Sequence, residues 1–139
     1  MTEKKKKYIL LVRNIVWALV IFILCAMPSD DIPNPHWNVP HLDKAVHFGM
    51  FFIMALLLCS ELQYQTRMNL RKIYLTTLCI AFLYGGIIEI LQQHFFNRSG
   101  DLLDLLADVL GAVAGCLFYP RAKRWKERWF GQKCRKREG

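Results

Sequence analysis

The segment Asp43-Lys44-Ala45-Val46-His47-Phe48-Gly49-Met50-Phe51-Phe52-Ile53-Met54-Ala55-Leu56-Leu57-Leu58-Cys59-Ser60-Glu61-Leu62 decides the fold. Its apolar run, Ala45–Leu62, approaches the roughly 20 residues a helix needs to cross a hydrocarbon layer about 30 Å thick. Its first turns carry Asp43, Lys44 and His47, side chains that a bilayer tolerates mainly where they face a bundle interior or a water-filled cavity. Outward from this segment lie three more runs of similar length: Ile9–Met27, Ile73–Leu91 and Leu102–Tyr119. One such run is compatible with a buried helix of a soluble domain. Four of them in 139 residues leave almost no polar surface to cover them. The expected fold class is an all-α membrane protein, a four-transmembrane-helix antiparallel bundle with short loops. It would occupy residues 1–120 as a single domain and be followed by a basic, aromatic-containing tail, 121–139.

The charges fit this plan. The chain is 54% hydrophobic yet carries 19 Lys and Arg and a net charge of +8. Lys4 to Lys7 open the chain, and nine of the 19 cations fall between Arg121 and Arg137. The 63–72 connection holds Arg67, Arg71 and Lys72, the 28–42 connection holds none, and the 92–100 connection holds only Arg98. The positive-inside bias then places both termini and the 63–72 connection in the cytoplasm. The 28–42 connection contains Pro28, Pro33, Pro35 and Pro40, which exclude a continuous helix. Trp37 there suits the headgroup level. The basic opening also resembles a signal peptide, but its apolar run is long and lacks a small-x-small cleavage site before Pro28, so a retained anchor is expected.

In the tail, Trp125 and Trp129 are four apart among cations, as in a helix lying on anionic inner-leaflet lipid. A stop-transfer and topology signal is the plainer reading, and a nucleic-acid partner is not expected. The five cysteines (Cys25, Cys59, Cys79, Cys116, Cys134) form no C-x-x-C pair and suggest neither a disulfide framework nor a zinc site.

The polar residues within the runs gather at one membrane face. Around the fourth run, Asp101, Asp104, Asp108, Gly111 and Gly115 share a helical stripe at about 100° per residue. Gly111-x-x-x-Gly115, extended back to Ala107, marks a surface for close helix approach. Asp101 suits a helix N-cap, and Asp101 and Asp104 suit the positive end of the helix dipole. Asp108, roughly 10 Å deeper at 1.5 Å per residue, is poorly explained that way. Asp43 and His47 are four apart, so the carboxylate is positioned to orient the imidazole; the same pair also serves as an ordinary helix start. Lys44 lies to the side and can snorkel outward. On the third helix Gly85, Glu89 and Gln92 share a face, and a carboxylate in this apolar stretch needs a partner. Arg98 is the natural one, for Glu89 or Asp104, or it presents its planar fork to a phosphate. The candidate catalytic residues are therefore Asp43, His47, Glu89 and Asp104. The candidate substrate-binding residues are Lys44, Gln92, Arg98, Asp101 and Asp108. Asp43, His47, Glu89 and Asp104 would suit a divalent Mg, Mn or Zn ion, although no spacing is diagnostic.

These residues, in this order, resemble the VanZ family of bacterial integral membrane proteins. Asp43-Lys44-x-x-His47-Phe48 opens the second helix and Glu89-x-x-Gln92 closes the third. Arg98-x-Gly100-Asp101-x-x-Asp104 then leads into the fourth, which ends in Gly111-x-x-x-Gly115. The resemblance covers roughly Trp17 to Tyr119. Phe51 stands where the family often has Tyr, and Asp108 where it often has Asn. The resemblance implies a multi-pass protein of the bacterial cytoplasmic (inner) membrane acting in the cell envelope. The family takes its name from a member linked to low-level resistance to the glycopeptide teicoplanin, so a relation to antibiotic resistance comes with the resemblance alone.

Three functions fit this reading. One is an outward-facing site that binds or acts on a lipid-phosphate or envelope-precursor headgroup. Lys44 and Arg98 would meet the anion, and His47, Glu89 or Asp104 would move a proton or hold a metal. A second is a non-catalytic network that fixes helix register or engages a partner. The third, a transporter, needs an oligomer, for which the G-x-x-x-G face is available. No serine or cysteine nucleophile is paired with a base, so acyl transfer is not indicated.

Overall fold

A computed structural model describes residues 2–26, 42–95 and 102–135, with side chains of the last helix through Trp129. It contains four helices: α1 (Glu3–Ala26), α2 (Leu42–Gln65), α3 (Leu70–Phe95) and α4 (Leu102–Arg135). Each holds a stretch long and apolar enough to cross a membrane, and the described residues contain no strand. The chain is an all-helical, multi-pass membrane protein. The prolines of the 28–42 connection, Trp37, Arg98 and Asp101 lie outside the described residues.

Two helices run past the apolar segments that announce them. α1 begins at Glu3, because Lys4 to Lys7 are good helix formers and an acidic residue suits the first turn. α4 continues through Pro120 to Arg135. A proline removes one bond of the helix ladder, but Ala122, Lys123 and Arg124 carry the helix on. The first part of the basic tail is thus a rigid extension of α4. At the start of α3, Asn69 Oδ1 accepts a hydrogen bond from the backbone N–H of Lys72 at 3.0 Å, an N-cap that ends the short turn from α2.

Residue pairing fixes the topology. Lys44 meets Asp104, His47 meets Asp108, Cys59 meets Cys116 and Gln63 meets Tyr119, so α2 and α4 run parallel. Asn14 meets Glu61 and Trp17 donates to the Met50 carbonyl, so α1 is antiparallel to α2. Cys59 beside Thr77 and Phe51 beside Tyr84 make α3 antiparallel to α2. The four helices alternate in direction, as an up-down bundle requires.

The α2–α4 pair is the most closely packed, and two glycines explain why. A Cβ at Gly111 would run into the Phe48 carbonyl, and one at Gly115 would lie 2.5 Å from the Phe52 oxygen and 2.8 Å from Ala55 Cβ. Backbone meets backbone there, the geometry small residues permit in membranes. The G-x-x-x-G face is therefore occupied within the chain by α2 and is not available to join copies. α1 sits at the margin, with only Ile21 and Cys25 buried. The bundle's outer surface is apolar, with Leu75, Phe82, Leu83, Ile87 and Ile90 of α3 exposed, as a lipid-facing surface demands.

Candidate polar site at the start of α2 and α4

The first turns of α2, the last turns of α3 and the first turns of α4 lie at one end of the bundle. On α4 the buried positions are Asp104, Asp108, Gly111, Ala112, Gly115, Cys116 and Tyr119, one stripe at helical spacing. The glycines that draw α4 onto α2 therefore also carry Asp104 and Asp108 against that helix. On α3 the buried stripe ends in Gly85, Glu89 and Gln92. On α2 it begins with His47.

His47 is at the centre. It is 2% exposed, and its Nδ1 lies 3.0 Å from Oδ1 of Asp108, which is fully buried. The expected partner was Asp43, four residues earlier on the same helix. The structure adds Asp108 from α4, brought to the ring by the close α2–α4 approach, while Asp43 is exposed at the rim with a carboxylate oxygen within 4.8 Å of a His47 ring nitrogen. Asp108 Oδ2 is buried and has no hydrogen-bond partner among the described residues. It points toward Gly85, where an added Cβ would lie 2.7 Å away. Gly85 is thus the space into which the carboxylate fits.

Glu89 closes the site from α3. It is 9% exposed, and His47, Glu89 and Asp108 offer ligand atoms all within 4.8 Å of one another. At the mouth, Lys44 Nζ bonds Asp104 Oδ1 at 2.9 Å. Lys44 therefore does not simply snorkel outward; it bridges α2 to the first turn of α4. Asp43, His47 and Asp104 form a second group with ligand atoms within 4.8 Å, sharing His47 with the first. Either group has the oxygen-rich, single-nitrogen donor set that suits a hard or borderline divalent ion. In the outer group Lys44 already neutralises one Asp104 oxygen, so a cation there would compete with an ammonium.

Gln92 is buried, and its Nε2 donates to the Cys25 carbonyl at 2.9 Å. Its amide nitrogen thus joins the end of α3 to the end of α1 rather than facing the His47 cluster. Tyr84 does the same one level down, donating to the Ala18 carbonyl at 2.5 Å. Phe51 is fully buried, with its ring centroid 6.2 Å from that of Tyr84.

This constellation and its helical frame can be set beside known proteins. The VanZ/LLP1 family model matches residues 3–124, which include all four apolar segments and every polar residue above. The chain belongs to the VanZ/LLP1 family. It is also similar to the uncharacterized protein C11E3.10 of Schizosaccharomyces pombe (strain 972 / ATCC 24843), at 29% identity over 101 residues. That similarity covers 71% of this chain and 60% of the yeast protein, so the chain spans less than two thirds of that curated relative's length. No solved structure matches. Family membership extends the resemblance read from the motifs, and the similarity to a fission-yeast protein reaches beyond bacteria.

Sequence reasoning missed the polar groups at the opposite end. Asn14 donates to Glu61, and Gln65 Nε2 donates to the other Glu61 oxygen at 2.7 Å. Arg13 Nη2 donates to the Leu57 carbonyl at 3.0 Å, and Tyr119 to Gln63 Oε1 at 2.5 Å. The signal was present in Arg13-Asn14 inside the first apolar run, and in Glu61, which is buried. The thiols of Cys59 and Cys116, 3.8 Å apart across α2 and α4, were beyond reach because no spacing links them.

Proposed function

We propose that the chain binds, and through His47 acts on, a phosphate-bearing lipid or envelope-precursor headgroup at the membrane face where α2 and α4 begin. The observation that carries this reading is the His47–Asp108 pair, dry, beside Glu89, and placed just below the Lys44–Asp104 bridge. Buried ionisable groups in a membrane protein are costly and are retained mostly for function. Here several share one small volume. In this reading Lys44 and Arg98 receive the phosphate. Asp108 fixes the imidazole, and His47 or Glu89 gives or takes a proton at the headgroup. The carboxylates outnumber the cations; Asp43, His47 and Asp104, or His47, Glu89 and Asp108, would hold a divalent ion, which would supply the positive charge a phosphate needs. Mg²⁺ is commonly held that way, by one or two carboxylates plus substrate phosphates. In this reading the positive-inside bias of the basic N-terminal segment and basic tail sets this face outside the cytoplasm. For a bacterial cell this is the outer face of the cytoplasmic membrane.

A second reading has its own observation. Gln92 and Tyr84 use their polar atoms to hold α1, which is a structural task. By extension the whole network would set helix register without chemistry.

Native mass spectrometry of the purified chain in mild detergent, with an added short-chain lipid phosphate, separates the two. One more lipid phosphate on wild type than on folded Lys44→Gln and Glu89→Gln supports the ligand site. Equal numbers on all three, together with variants that lose thermal stability, overturn it in favour of the structural network.

A further inference from the structure

Opposite the His47 site, a cavity of about 610 Å³ opens where α1, the end of α2 and the extension of α4 meet. Four cations line it: Lys6 and Arg13 from α1, and Lys123 and Lys126 from α4. Glu127 is the one carboxylate in the lining. Leu10, Leu56 and Leu57 make an apolar side, and Ser60 and Tyr119 add hydroxyl groups. The volume falls in the range of small-molecule sites, roughly 300–1,000 Å³.

Arg13 tells what the cavity is built for. It sits within the apolar span of α1, where an Arg is expensive. One arm of its guanidinium donates to the Leu57 carbonyl. Its Nε is buried and has no hydrogen-bond partner among the described residues. A buried N–H donor without an acceptor is costly, the more so on a charged group, and an anion beside the guanidinium would offset the cost of the buried charge. Lys6 is held at the rim, with its Nζ 4.1 Å from the centroid of the Tyr64 ring. The continuation of α4 beyond Pro120 is what carries Lys123 and Lys126 over the opening.

We infer that this cavity binds the headgroup of an anionic phospholipid of the surrounding bilayer, one molecule per chain. The phosphate would meet the Arg13 guanidinium and face Lys123 and Lys126. The apolar side at Leu10 and Leu56 would take the start of an acyl chain. A lipid is the fitting occupant because the cavity joins four cations to apolar walls at the end of membrane-spanning helices, where headgroups lie. The inference does not depend on what the His47 site binds.

The test is native mass spectrometry of the delipidated full chain, titrated with phosphatidylglycerol or with phosphatidylcholine of the same acyl chains. Wild type is expected to keep one phosphatidylglycerol in clear preference to phosphatidylcholine. Lys123→Gln/Lys126→Gln, at exposed helix positions that do not threaten folding, should weaken phosphatidylglycerol binding roughly thirtyfold, as about 1 kcal/mol for each of two cations near a headgroup layer implies. Arg13→Gln should abolish the preference. Arg121→Gln/Arg128→Gln removes the same charge from the helix outside the cavity and should leave it intact. Equal binding of the two lipids overturns the inference. So does equal weakening by the two double variants, which would make the attraction a diffuse property of the basic helix.

Discussion

At the end where α2 and α4 begin, His47, Glu89, Asp104 and Asp108 are buried together, with Asp43 and Lys44 at the rim. At the end where α2 finishes, polar side chains line an open cavity of about 610 Å³. The first end is rich in carboxylates: Asp104, Asp108 and Glu89 are buried around His47. The second is rich in cations, with Arg13, Lys6, Lys123 and Lys126 facing the opening. Between them the α2–α4 seam is apolar or glycine-lined, with Gly111 and Gly115 against the carbonyls of Phe48 and Phe52. The difference shows how four helices make two unlike polar environments. Close backbone approach buries the polar groups at one end, while the basic extension of α4 lines a cavity at the other. Buried pairs tolerate loss of a partner poorly, whereas exposed cations contribute mostly through their field.

The largest effect is expected where packing and polarity meet. Gly111→Leu forces a branched side chain into the Phe48 carbonyl, and overpacking of this kind typically costs about 1–3 kcal/mol and occasionally more. Here the obstacle is backbone, so the upper end is expected, read as a lowered unfolding midpoint in detergent and loss of both polar sites together. Asp108→Ala leaves the His47 ring buried without its partner and should cost about 2–3 kcal/mol. Asp108→Asn keeps the shape and a hydrogen-bond acceptor, so its cost should be about 1 kcal/mol. If Asp108→Ala and Asp108→Asn unfold at the same temperature, the His47–Asp108 bond does not hold this end together.

A smaller effect is expected from Gly85→Ala. The new methyl must displace the Asp108 carboxylate, now 2.7 Å from the Cβ position. The double change Gly85→Ala/Asp108→Ala should be less destabilised than the sum of its parts, because removing the carboxylate removes the clash. Strict additivity in thermal unfolding would show that Gly85 makes no room for Asp108. Lys44→Gln should change stability least, by about 0–1 kcal/mol, since the Lys44–Asp104 bridge is partly exposed.

Apolar run length made the four membrane helices legible, and the polar residues at their ends were legible as one cluster. The stripe Asp104, Asp108, Gly111, Gly115 was readable because one helix face carries all of them. The partner of His47 was not, because periodicity compares residues within a helix and Asp108 arrives from another one. The role of Gln92 was hidden likewise, since its bond runs to a backbone carbonyl of α1, an acceptor that has no signature in sequence. The fourth apolar run ends at Tyr119, but Pro120 removes a single bond and the residues after it are good helix formers, so the helix continues. The cation-lined cavity needs α1, α2 and α4 together, and Arg13 gave its only hint.

The measurement that tests the ligand-site reading most directly is thermal unfolding of the detergent-solubilised chain with and without a short-chain lipid phosphate and Mg²⁺. It is best made in the Lys123→Gln/Lys126→Gln background, which weakens the opposite headgroup cavity. A ligand that binds only the folded chain at about 100 times its Kd should stabilise it by about 2.7 kcal/mol. The expected result is a raised midpoint in that background, lost when Lys44→Gln or His47→Asn is added to it. An unchanged midpoint, or an equal rise with and without those substitutions, would contradict a ligand site at His47.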